Sequence, residues 1–430
     1  MKRDVVKQID EVTGNFKPDS LSPCESANIK FTASTRIATS MCQQFGDVYL
    51  QVSPEKCYTT GNGLEVVKYG EIATVVVNVV DDTGKACPAP VEALTSELIS
   101  EVCSKRIDCS VKKTEVIGQY EVSYQATNRG RHQLHIIMEG KHIKGSPFPV
   151  AVKLPIEKLG IPIRTINGVK KPSCVAIDSV GNIIVTEASE HCISIFSPVG
   201  EKIKSFGFRG SSPGQFNTPK GIALDSDDSI LVADNHNDRI QKFTSTSRGT
   251  AFIAAVNSSN FRRPVGIAVH PQSRKVYVAD SHNHCVQILN PDLTFSCSFG
   301  SRGSGTIGQF QFPYDVAFDS YGNVYVVDGG NHCIQVFTAD GHSLRKLGRK
   351  GKGYKELDWP NTISIDSEDV VYVVDQNNNR VSVFTCEGKF LTAFGMKGGG
   401  PGEFNYPYGV AVDRSGLVYV SDNTGRIQIF

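Results

Sequence analysis

Long apolar runs, closely paired cysteines and an excess of either charge are all missing from this sequence of 430 residues. No segment reaches the roughly 18 uninterrupted apolar residues of a membrane-spanning helix, and the charged stretch 1–12 lacks the apolar core of a secretory signal. The 12 cysteines include no C-x-x-C pair, so neither a zinc ribbon nor a disulfide framework is indicated. We therefore expect a cytoplasmic protein with reduced thiols and no membrane partner.

The balance of charge excludes a bulk attraction to nucleic acid. The chain has 45 basic and 44 acidic residues, a formal charge of +1, so any such binding has to come from local patches. Its 40 glycines and 20 prolines favour many turns between short strands.

One phrase recurs with a period in the forties, which is typical of propeller blades. It opens at six prolines, spaced by 47, 45, 49, 47 and 47 residues: Pro172, Pro219, Pro264, Pro313, Pro360 and Pro407. Each proline leads into short β-branched runs such as G-I-A-V, V-Y-V-A-D and I-Q-V-F, with turn sequences such as Asp319–Asn323 between them. These runs predict three strands, and a fourth such as Lys202–Gly207 completes a four-stranded blade.

The ends of the repeat predict how the ring closes. The sixth unit stops at Phe430, directly after its third strand, whereas a strand-like segment, Ile163–Gly168, precedes the first unit. A propeller has to pair its last blade with its first or leave an exposed edge. We therefore expect the N-terminal strand to complete the C-terminal blade, which gives six blades over residues 160–430.

Residues 52–153 have a different rhythm. Apolar and polar residues alternate, as around Tyr120–Tyr124, and turn signals recur about every ten residues, a pattern typical of a small Ig-like β-sandwich. Residues 1–51 are polar and rich in Ser and Thr, and we interpret them as a tail and linker. Within them, Asp4–Val12 has the end of a coiled coil as one interpretation.

These residues carry a family resemblance. The phrase P-x-G-[IV]-A-V-D…[IV]-x-V-[AV]-D-x-x-N-x-[RC]-[IV]-Q-[VI]-F resembles the NHL repeat. The sandwich segment, with Cys57, G-N-G-L at 61–64, GQYEVSYQA and GSPFPVAV, is similar to a filamin-type Ig repeat. Together they resemble the C-terminal half of TRIM-NHL proteins over residues 52–430. The resemblance implies an all-β chain, an Ig-like filamin β-sandwich followed by a six-bladed NHL β-propeller.

The catalytic parts of that family have no counterpart in this sequence. Whole TRIM-NHL proteins carry a RING finger, B-boxes and a coiled coil before the filamin repeat, and the RING holds the ubiquitin-ligase activity. No Cys/His zinc spacing occurs here. The resemblance therefore implies no enzyme on this chain, although a full-length parent would be a RING E3 ubiquitin ligase.

No group of residues stands out from the repeat as an active site. We find no Ser/His/Asp or paired-carboxylate arrangement, so we predict no catalytic residue, no metal site and no cofactor. A propeller enzyme of the lyase or lactonase kind remains an alternative class, and it would need metal ligands that converge on the central channel.

Two sets of polar residues recur with the blades. His-Cys pairs stand at 191–192, 284–285 and 332–333, where metal binding competes with a structural role; one repeat position on separate blades favours the structural role. A second set is the aspartate that closes the second strand: Asp234, Asp280, Asp328, Asp375 and Asp422. We predict that it caps its own loop by accepting backbone N–H bonds rather than forming a carboxylate cluster.

Loop charges divide the predicted propeller into two unlike faces. The loops between blades and those after the second strands carry a net positive charge together, whereas the turns on the opposite face are net negative. Cations beside aromatic rings fit RNA, because phosphates need cations and unstacked bases need a π-surface. The candidate RNA-binding residues are cations and tyrosines of the basic face: Lys170, Lys171, Arg209, Lys220, Arg262, Arg263, Arg302, Tyr314, Arg349, Lys350, Lys352, Tyr354 and Tyr408.

The leading hypothesis is an RNA-binding post-transcriptional regulator that uses this face to bind mRNA, as a single-stranded motif or a stem-loop. The cations would neutralise phosphates while the tyrosines stack with bases. The resemblance agrees, since one branch of TRIM-NHL propellers binds and represses mRNA on this face and others bind proteins. The alternative is a protein-interaction scaffold or a substrate receptor of a TRIM-type E3 ubiquitin ligase, with protein partners bound through the filamin repeat or the propeller.

Overall fold

The structure, a computed structural model, describes residues 52–101, 104–127, 130–153, 155–246, 249–256 and 260–430. The predicted tail, including Asp4–Val12, lies outside the described residues. Helix occurs within them only as three-residue 3₁₀ turns, at Asn62–Leu64, Val91–Ala93, Ile156–Lys158, Asn235–Asn237, Ser281–Asn283 and Gln376–Asn378. None of these described helices has the length and apolar character needed to cross a membrane.

Ten strands build the N-terminal sandwich: β1 Tyr58–Thr60, β2 Val66–Lys68, β3 Ile72–Asn78, β4 Leu94–Ser100, β5 Arg106–Asp108, β6 Ser110–Lys113, β7 Gln119–Gln125, β8 Gly130–Met138, β9 Lys141–His142 and β10 Phe148–Lys153. They form one sheet in the order β1-β3-β7-β6 and another in the order β2-β10-β8-β4-β5, with β9 paired to β8. Alternate residues of β7 and β8 are buried between the sheets, as the period-2 pattern predicts. The Ig-like sandwich is thereby confirmed.

The remaining strands build the propeller: β11 Arg164–Asn167, β12 Pro172–Ile177, β13 Ile183–Glu187, β14 Cys192–Phe196, β15 Lys202–Phe206, β16 Pro219–Leu224, β17 Ile230–Asp234, β18 Arg239–Thr246, β19 Gly249–Val256, β20 Pro264–Val269, β21 Val276–Asp280, β22 Cys285–Leu289, β23 Phe295–Phe299, β24 Ser301–Arg302, β25 Gln309–Phe310, β26 Pro313–Phe318, β27 Val324–Asp328, β28 Cys333–Phe337, β29 Ser343–Leu347, β30 Pro360–Ile365, β31 Val370–Asp375, β32 Arg380–Thr385, β33 Phe390–Phe394, β34 Pro407–Val412, β35 Val418–Asp422 and β36 Arg426–Ile429.

Six four-stranded antiparallel sheets form the blades. Blade 1 is β12–β15, blade 2 is β16–β19, blade 3 is β20–β23, blade 4 is β26–β29, blade 5 is β30–β33, and blade 6 is β34–β36 with β11. Strand β11 pairs with β36, so that Arg164 lies opposite Ile429 and Asn167 opposite Arg426. The predicted closure by the N-terminal strand is confirmed, and it leaves no unpaired strand between the last blade and the first.

Packing between blades explains two sequence features. The second strands, such as β17 and β27, are buried at every residue, which is why they read as continuous apolar runs. The glycine-rich loops end in Phe216, Phe310 or Phe404, whose side chains are fully buried. A Cβ on Gly207 would lie 2.4 Å from the Phe216 ring, and its φ of +86° is also one that side chains disfavour. The glycine of the F-G ending of the fourth strands therefore leaves space for the buried phenylalanine ring of the following loop.

The propeller has two faces. The loops between blades and those after the second strands form the funnel face, and the turns between first and second strands form part of the acidic face. The sandwich contacts the acidic face: Arg131 Nε lies 3.8 Å from Asp413 Oδ2, and Lys153 Nζ lies 2.8 Å from Glu368 Oε1. These contacts place cations of the sandwich against carboxylates of the turns.

Candidate nucleic-acid interface

The central channel opens on the funnel face into a cavity of about 610 Å³. Side chains from all six blades line it, because the residues that flank the blade-opening prolines converge on the channel axis. Four predicted RNA-binding residues are among those that line the cavity: Lys220, Arg263, Tyr314 and Tyr408. The structure thus gathers cations and rings from blades 2, 3, 4 and 6 at one opening.

The other predicted residues lie on the funnel face outside the cavity. Five of them, Lys170, Lys171, Arg209, Arg262 and Arg302, are exposed on the loops between blades. Four more share the loop from blade 4 to blade 5: Arg349, Lys350, Lys352 and Tyr354. In that loop Arg349 pairs with Glu356 at 3.1 Å, and the Tyr354 ring packs 5.5 Å from the ring of Phe390 on the outermost strand. Tyr354 is therefore at the outer rim, away from the funnel where Tyr314 and Tyr408 stand.

The cations at the cavity are desolvated and crowd one another. Burial and the nearby Lys171 ammonium lower the pKa of Lys220, whose Nζ lies 5.7 Å from the centre of the Tyr408 ring. Burial and the Arg263 guanidinium lower the pKa of both His236 and His282, which also line the opening. Charges of one sign at this spacing favour a bound anion.

One carboxyl group also lines the cavity, and it offsets little of the positive charge of these cations. Asp315 is buried, and burial raises its pKa to about 7. Its two oxygens accept N–H bonds from Val316 at 2.9 Å and Ile363 at 3.0 Å. Near neutral pH the group is thus partly protonated, and the opening keeps a net positive charge.

Three aromatic residues of this face were missed by the sequence reasoning: Phe312, Trp359 and Tyr406. Phe312 and Trp359 line the cavity with their ring centres 6.4 Å apart, and Tyr314 lies 6.0 Å from Trp359. Tyr406 is exposed at the equivalent position of the loop that leads into blade 6. All three directly precede a blade-opening proline, and that periodic position is the signal that could have identified them.

Asp422 caps its own loop as predicted, because its Oδ1 accepts the backbone N–H of Thr424 at 2.9 Å. The other four recurring aspartates accept a backbone N–H from the preceding loop between blades. Asp234 Oδ1 accepts the backbone N–H of Asn217 at 2.6 Å, and Asp375 Oδ1 accepts that of Asp358 at 2.7 Å. Both donors belong to the loop between blades rather than to the loop after the aspartate. The carboxylates also bind arginine, as where Arg239 Nε lies 2.8 Å from Asp234 Oδ2. The predicted cap of the aspartate's own loop is therefore wrong for these blades, since the carboxylate instead fixes the loop that carries the funnel cations.

In three blades, the arginine that pairs with the recurring aspartate also binds the loop between blades. Arg239 donates to the carbonyls of Ser212 and Gln215, and Arg380 donates to those of Gly353 and Glu356. Arg426 makes the equivalent bond to Glu403. The loops that present Arg209, Lys350 and Lys352 are thus held at their carbonyl groups, which orders the backbone beneath the exposed cations.

The three His-Cys pairs stand on separate blades, as the repeat predicts. The imidazoles of His191 and His332 accept the backbone N–H of Thr218 and Trp359 on the next blade, each at 3.0 Å. His284 Nδ1 lies 3.0 Å from the Gln311 carbonyl oxygen, again on the next blade. These histidines therefore join neighbouring blades. In the part of the chain that the structure describes, no three His, Cys, Asp or Glu side chains are grouped to hold a metal ion.

Fold and site together define a six-bladed β-propeller with a cation- and ring-lined funnel, joined to an Ig-like sandwich. Three family models match the chain: Filamin/ABP280 repeat over residues 51–149, NHL repeat over residues 216–243, 261–289 and 310–337, and 6-bladed beta-propeller over residues 367–427. The chain thus combines a filamin repeat with NHL repeats, and no RING finger or B-box is matched in it.

Two known proteins are similar in sequence to part of this chain. Tripartite motif-containing protein 2 of Homo sapiens is 28% identical over 258 residues, which cover 57% of this chain and 32% of that protein. E3 ubiquitin-protein ligase TRIM71 of Rattus norvegicus is 32% identical over 227 residues, which cover 52% of this chain and 21% of that protein. The chain therefore has homology to these tripartite motif proteins, as the sequence resemblance implied, and it spans about a third or less of their length.

A solved structure agrees with the fold. A protein of unknown function from Bacteroides thetaiotaomicron is 14% identical, with a TM-score of 0.53 and a match that covers 89% of this chain and 99% of that one. At this identity the likeness concerns the fold alone.

Proposed function

We propose that this chain is an RNA-binding post-transcriptional regulator, which binds mRNA in the cytoplasm on the funnel face of its NHL propeller. One observation carries the proposal: Lys220 and Arg263 line the cavity, Lys171 lies close enough to Lys220 to lower its pKa, and none of the three forms an ion pair within the described residues. Aromatic rings lie on the same opening. A ligand with phosphates and unpaired bases satisfies both groups.

Salt dependence tests the proposal. The double variant Arg262→Glu, Arg263→Glu should weaken the binding of a labelled RNA at least tenfold and reduce the slope of log K against log salt by about 2, because two cations are lost. Fluorescence anisotropy between about 50 and 200 mM salt measures both. Arg414→Glu, an exposed arginine at the acidic face, is the matched control and should change little. Binding that stays flat across this salt range would contradict the proposal.

A protein-interaction role is the second candidate, favoured by the homology to Tripartite motif-containing protein 2 and to E3 ubiquitin-protein ligase TRIM71. In this role the filamin repeat and the propeller act as a scaffold or as the substrate receptor of a TRIM-type ligase. The chain itself is then not an enzyme, since ubiquitin transfer belongs to a RING finger. A protein partner that stays bound to the purified chain after nuclease treatment supports this candidate over RNA.

A further inference from the structure

We propose that β19, the outermost strand of blade 2, is a self-association edge, where a second copy of this chain adds its own β19 in antiparallel orientation. The occupant is thus an identical strand, related to the first by a two-fold axis. No residue of β19 lines the funnel cavity, so this edge is independent of RNA binding there.

The hairpin of β18 and β19 is longer than its counterparts in the other blades. Both strands have eight residues, whereas the other outermost strands, β11, β15, β23, β29 and β33, have four or five. The first residue of β17, Ile230, pairs with Phe243 of β18, which pairs with Phe252 of β19. Beyond that row a two-stranded ribbon continues through three pairs: Thr244 with Ala251, Ser245 with Thr250, and Thr246 with Gly249.

This ribbon and its outer edge need a further strand. A ribbon of two strands is marginally stable in water unless a third strand or a packed face supports it. Within the described residues, β18 is the one strand that pairs with β19. The outer edge of β19 therefore presents N–H and C=O groups that have no strand partner. A strand from a second copy binds these groups and supplies the third strand of each ribbon.

A two-fold axis selects an uncharged edge, because like charges would meet across it. The sequence of β19, G-T-A-F-I-A-A-V, contains no charged residue and no proline. Charged residues on an edge strand are a common protection against pairing. Three of the other outermost strands have this protection, which β19 lacks: Lys202 and Lys204 on β15, Arg345 and Lys346 on β29, and Arg164 on β11.

Two further outermost strands are uncharged, and neither offers an equal edge. Strand β33 is covered, because the 3₁₀ turn Ile156–Lys158 contacts it and the Tyr354 ring lies 5.5 Å from the ring of Phe390. Strand β23 has five residues and ends level with β21 and β22, without a ribbon beyond the blade. Among these edges, β19 alone combines length, lack of charge and a ribbon that extends past its neighbours.

Symmetry determines the register of the two copies. Opposed residues of an antiparallel pair are either both hydrogen-bonded or both not, so the axis has to pass a residue that lies opposite its own copy. The overlap is longest when that residue is Phe252 or Ile253, with segment 249–255 or 250–256 paired. These are also the large apolar side chains of the strand, 40% and 47% exposed. Apolar pairs directly across two strands stabilise their association.

Sedimentation equilibrium of the full chain tests the proposal. An edge of this length buries less area than a standard stable interface, so we expect a reversible dimer with a Kd on the order of 10–100 µM. Ile253→Lys should weaken the dimer at least tenfold, because the two introduced charges lie opposite or diagonally across the seam. Phe295→Lys, at a 47% exposed residue of β23, is the matched control and should associate as the parent does. Unfolding temperatures establish that both variants are folded.

Cysteine variants identify the strand that meets β19. They are made in a Cys297→Ser background, which removes the exposed thiol of β23. Under mild oxidation, Phe252→Cys or Ile253→Cys should give a disulfide-linked dimer, because Cα atoms about 4.5 Å apart across the axis are within disulfide range. Phe295→Cys should give no more linked dimer than the background does.

Two results would overturn the proposal. One is a chain that stays monomeric up to about 200 µM, well above the expected Kd. The other is a dimer that Ile253→Lys leaves unchanged and that neither cysteine variant links, since its interface then lies elsewhere. Neither result bears on RNA binding at the funnel, which is measured separately.

Discussion

Asp315 shows how one buried group couples the funnel to stability. Burial raises the pKa of its carboxyl to about 7, although two backbone N–H groups bind it. In the unfolded chain the same carboxyl has its ordinary pKa of 3.8. Between these values the folded state keeps a proton that the unfolded state has released. Stability from this group is therefore lost as the pH rises from about 4 to 7.

The variant Asp315→Asn should flatten that part of the pH profile. It should raise the free energy of unfolding at pH 8 by about 1–2 kcal/mol, because the amide carries no charge but gives up one of two acceptor sites. Urea unfolding from pH 4 to pH 8 measures the effect. Asp82→Asn, at an exposed carboxylate, is the control and should keep the parent's slope. A parallel profile for Asp315→Asn would show that the group is not the cause.

At the scale of residues, the sequence identified some of the residues that line the funnel cavity and missed others. Tyr314 and Tyr408 were identified because they follow a periodic proline, and both line the cavity. Trp359 was missed because the residue before that proline was not compared between blades. Tyr354 was grouped with them through its basic loop, yet its ring packs on Phe390 at the rim. The distance of a side chain from the channel axis depends on the path of its loop across the blade. The composition of the loop does not reveal that path.

At the scale of elements, the junctions between blades give a test of how the rim is held. His332 accepts the N–H of Trp359 at 3.0 Å, and the two rings pack edge to face with centres 5.9 Å apart. His332→Ala removes both contacts, together with the 3.3 Å approach of Nδ1 to Asp358 Oδ1, and leaves the N–H of Trp359 without its acceptor. We expect a loss of about 1–3 kcal/mol in the free energy of unfolding. The emission of Trp359 should also move to longer wavelength as its ring becomes more exposed.

Thermal unfolding and tryptophan emission measure these two effects. His342→Ala is the matched control, because that imidazole is 80% exposed and, among the described residues, its Nδ1 has its hydrogen-bond contact within its own turn, with Asp340 Oδ2 at 2.9 Å. It should alter neither quantity. An unchanged emission spectrum in His332→Ala would mean that the histidine does not position the tryptophan.

The elements themselves were predictable, because their signals are local. Five-residue turn segments such as Asp319–Asn323 carry their own hydrogen bonds: Asp319 Oδ1 accepts the N–H groups of Tyr321 at 3.1 Å and Asn323 at 2.8 Å. The partners of Asp234 were not predictable in this way. Its backbone donor, Asn217, lies 17 residues earlier in the chain, and only the folded blade brings the two together.

At the scale of the whole molecule, the two unlike faces have separate contacts. The sandwich meets the acidic face through Arg131 and Lys153, whereas the funnel cations lie on the opposite side. Complementary charge of this kind orients two parts of a chain as it orients two proteins. The repeat predicted the sorting of loop charges. It could not predict the docking of the sandwich, since residues 131 and 153 stand outside the periodic part of the sequence.

Closure of the ring provides the last prediction, because every funnel residue depends on it. Ile166 of β11 is 5% exposed and packs with Ile427 and Ile429 of β36, the strand it pairs with. Ile166→Asp places an unpaired charge in that seam, and we expect the free energy of unfolding to fall by about 3–5 kcal/mol. Ile203→Asp is the matched control on β15, the outermost strand of blade 1, where the side chain is 54% exposed. It should change stability by about 0.5 kcal/mol or less. Urea unfolding compares the two variants. Similar losses of unfolding free energy would mean that the pairing of β11 with the sixth blade does not close the ring.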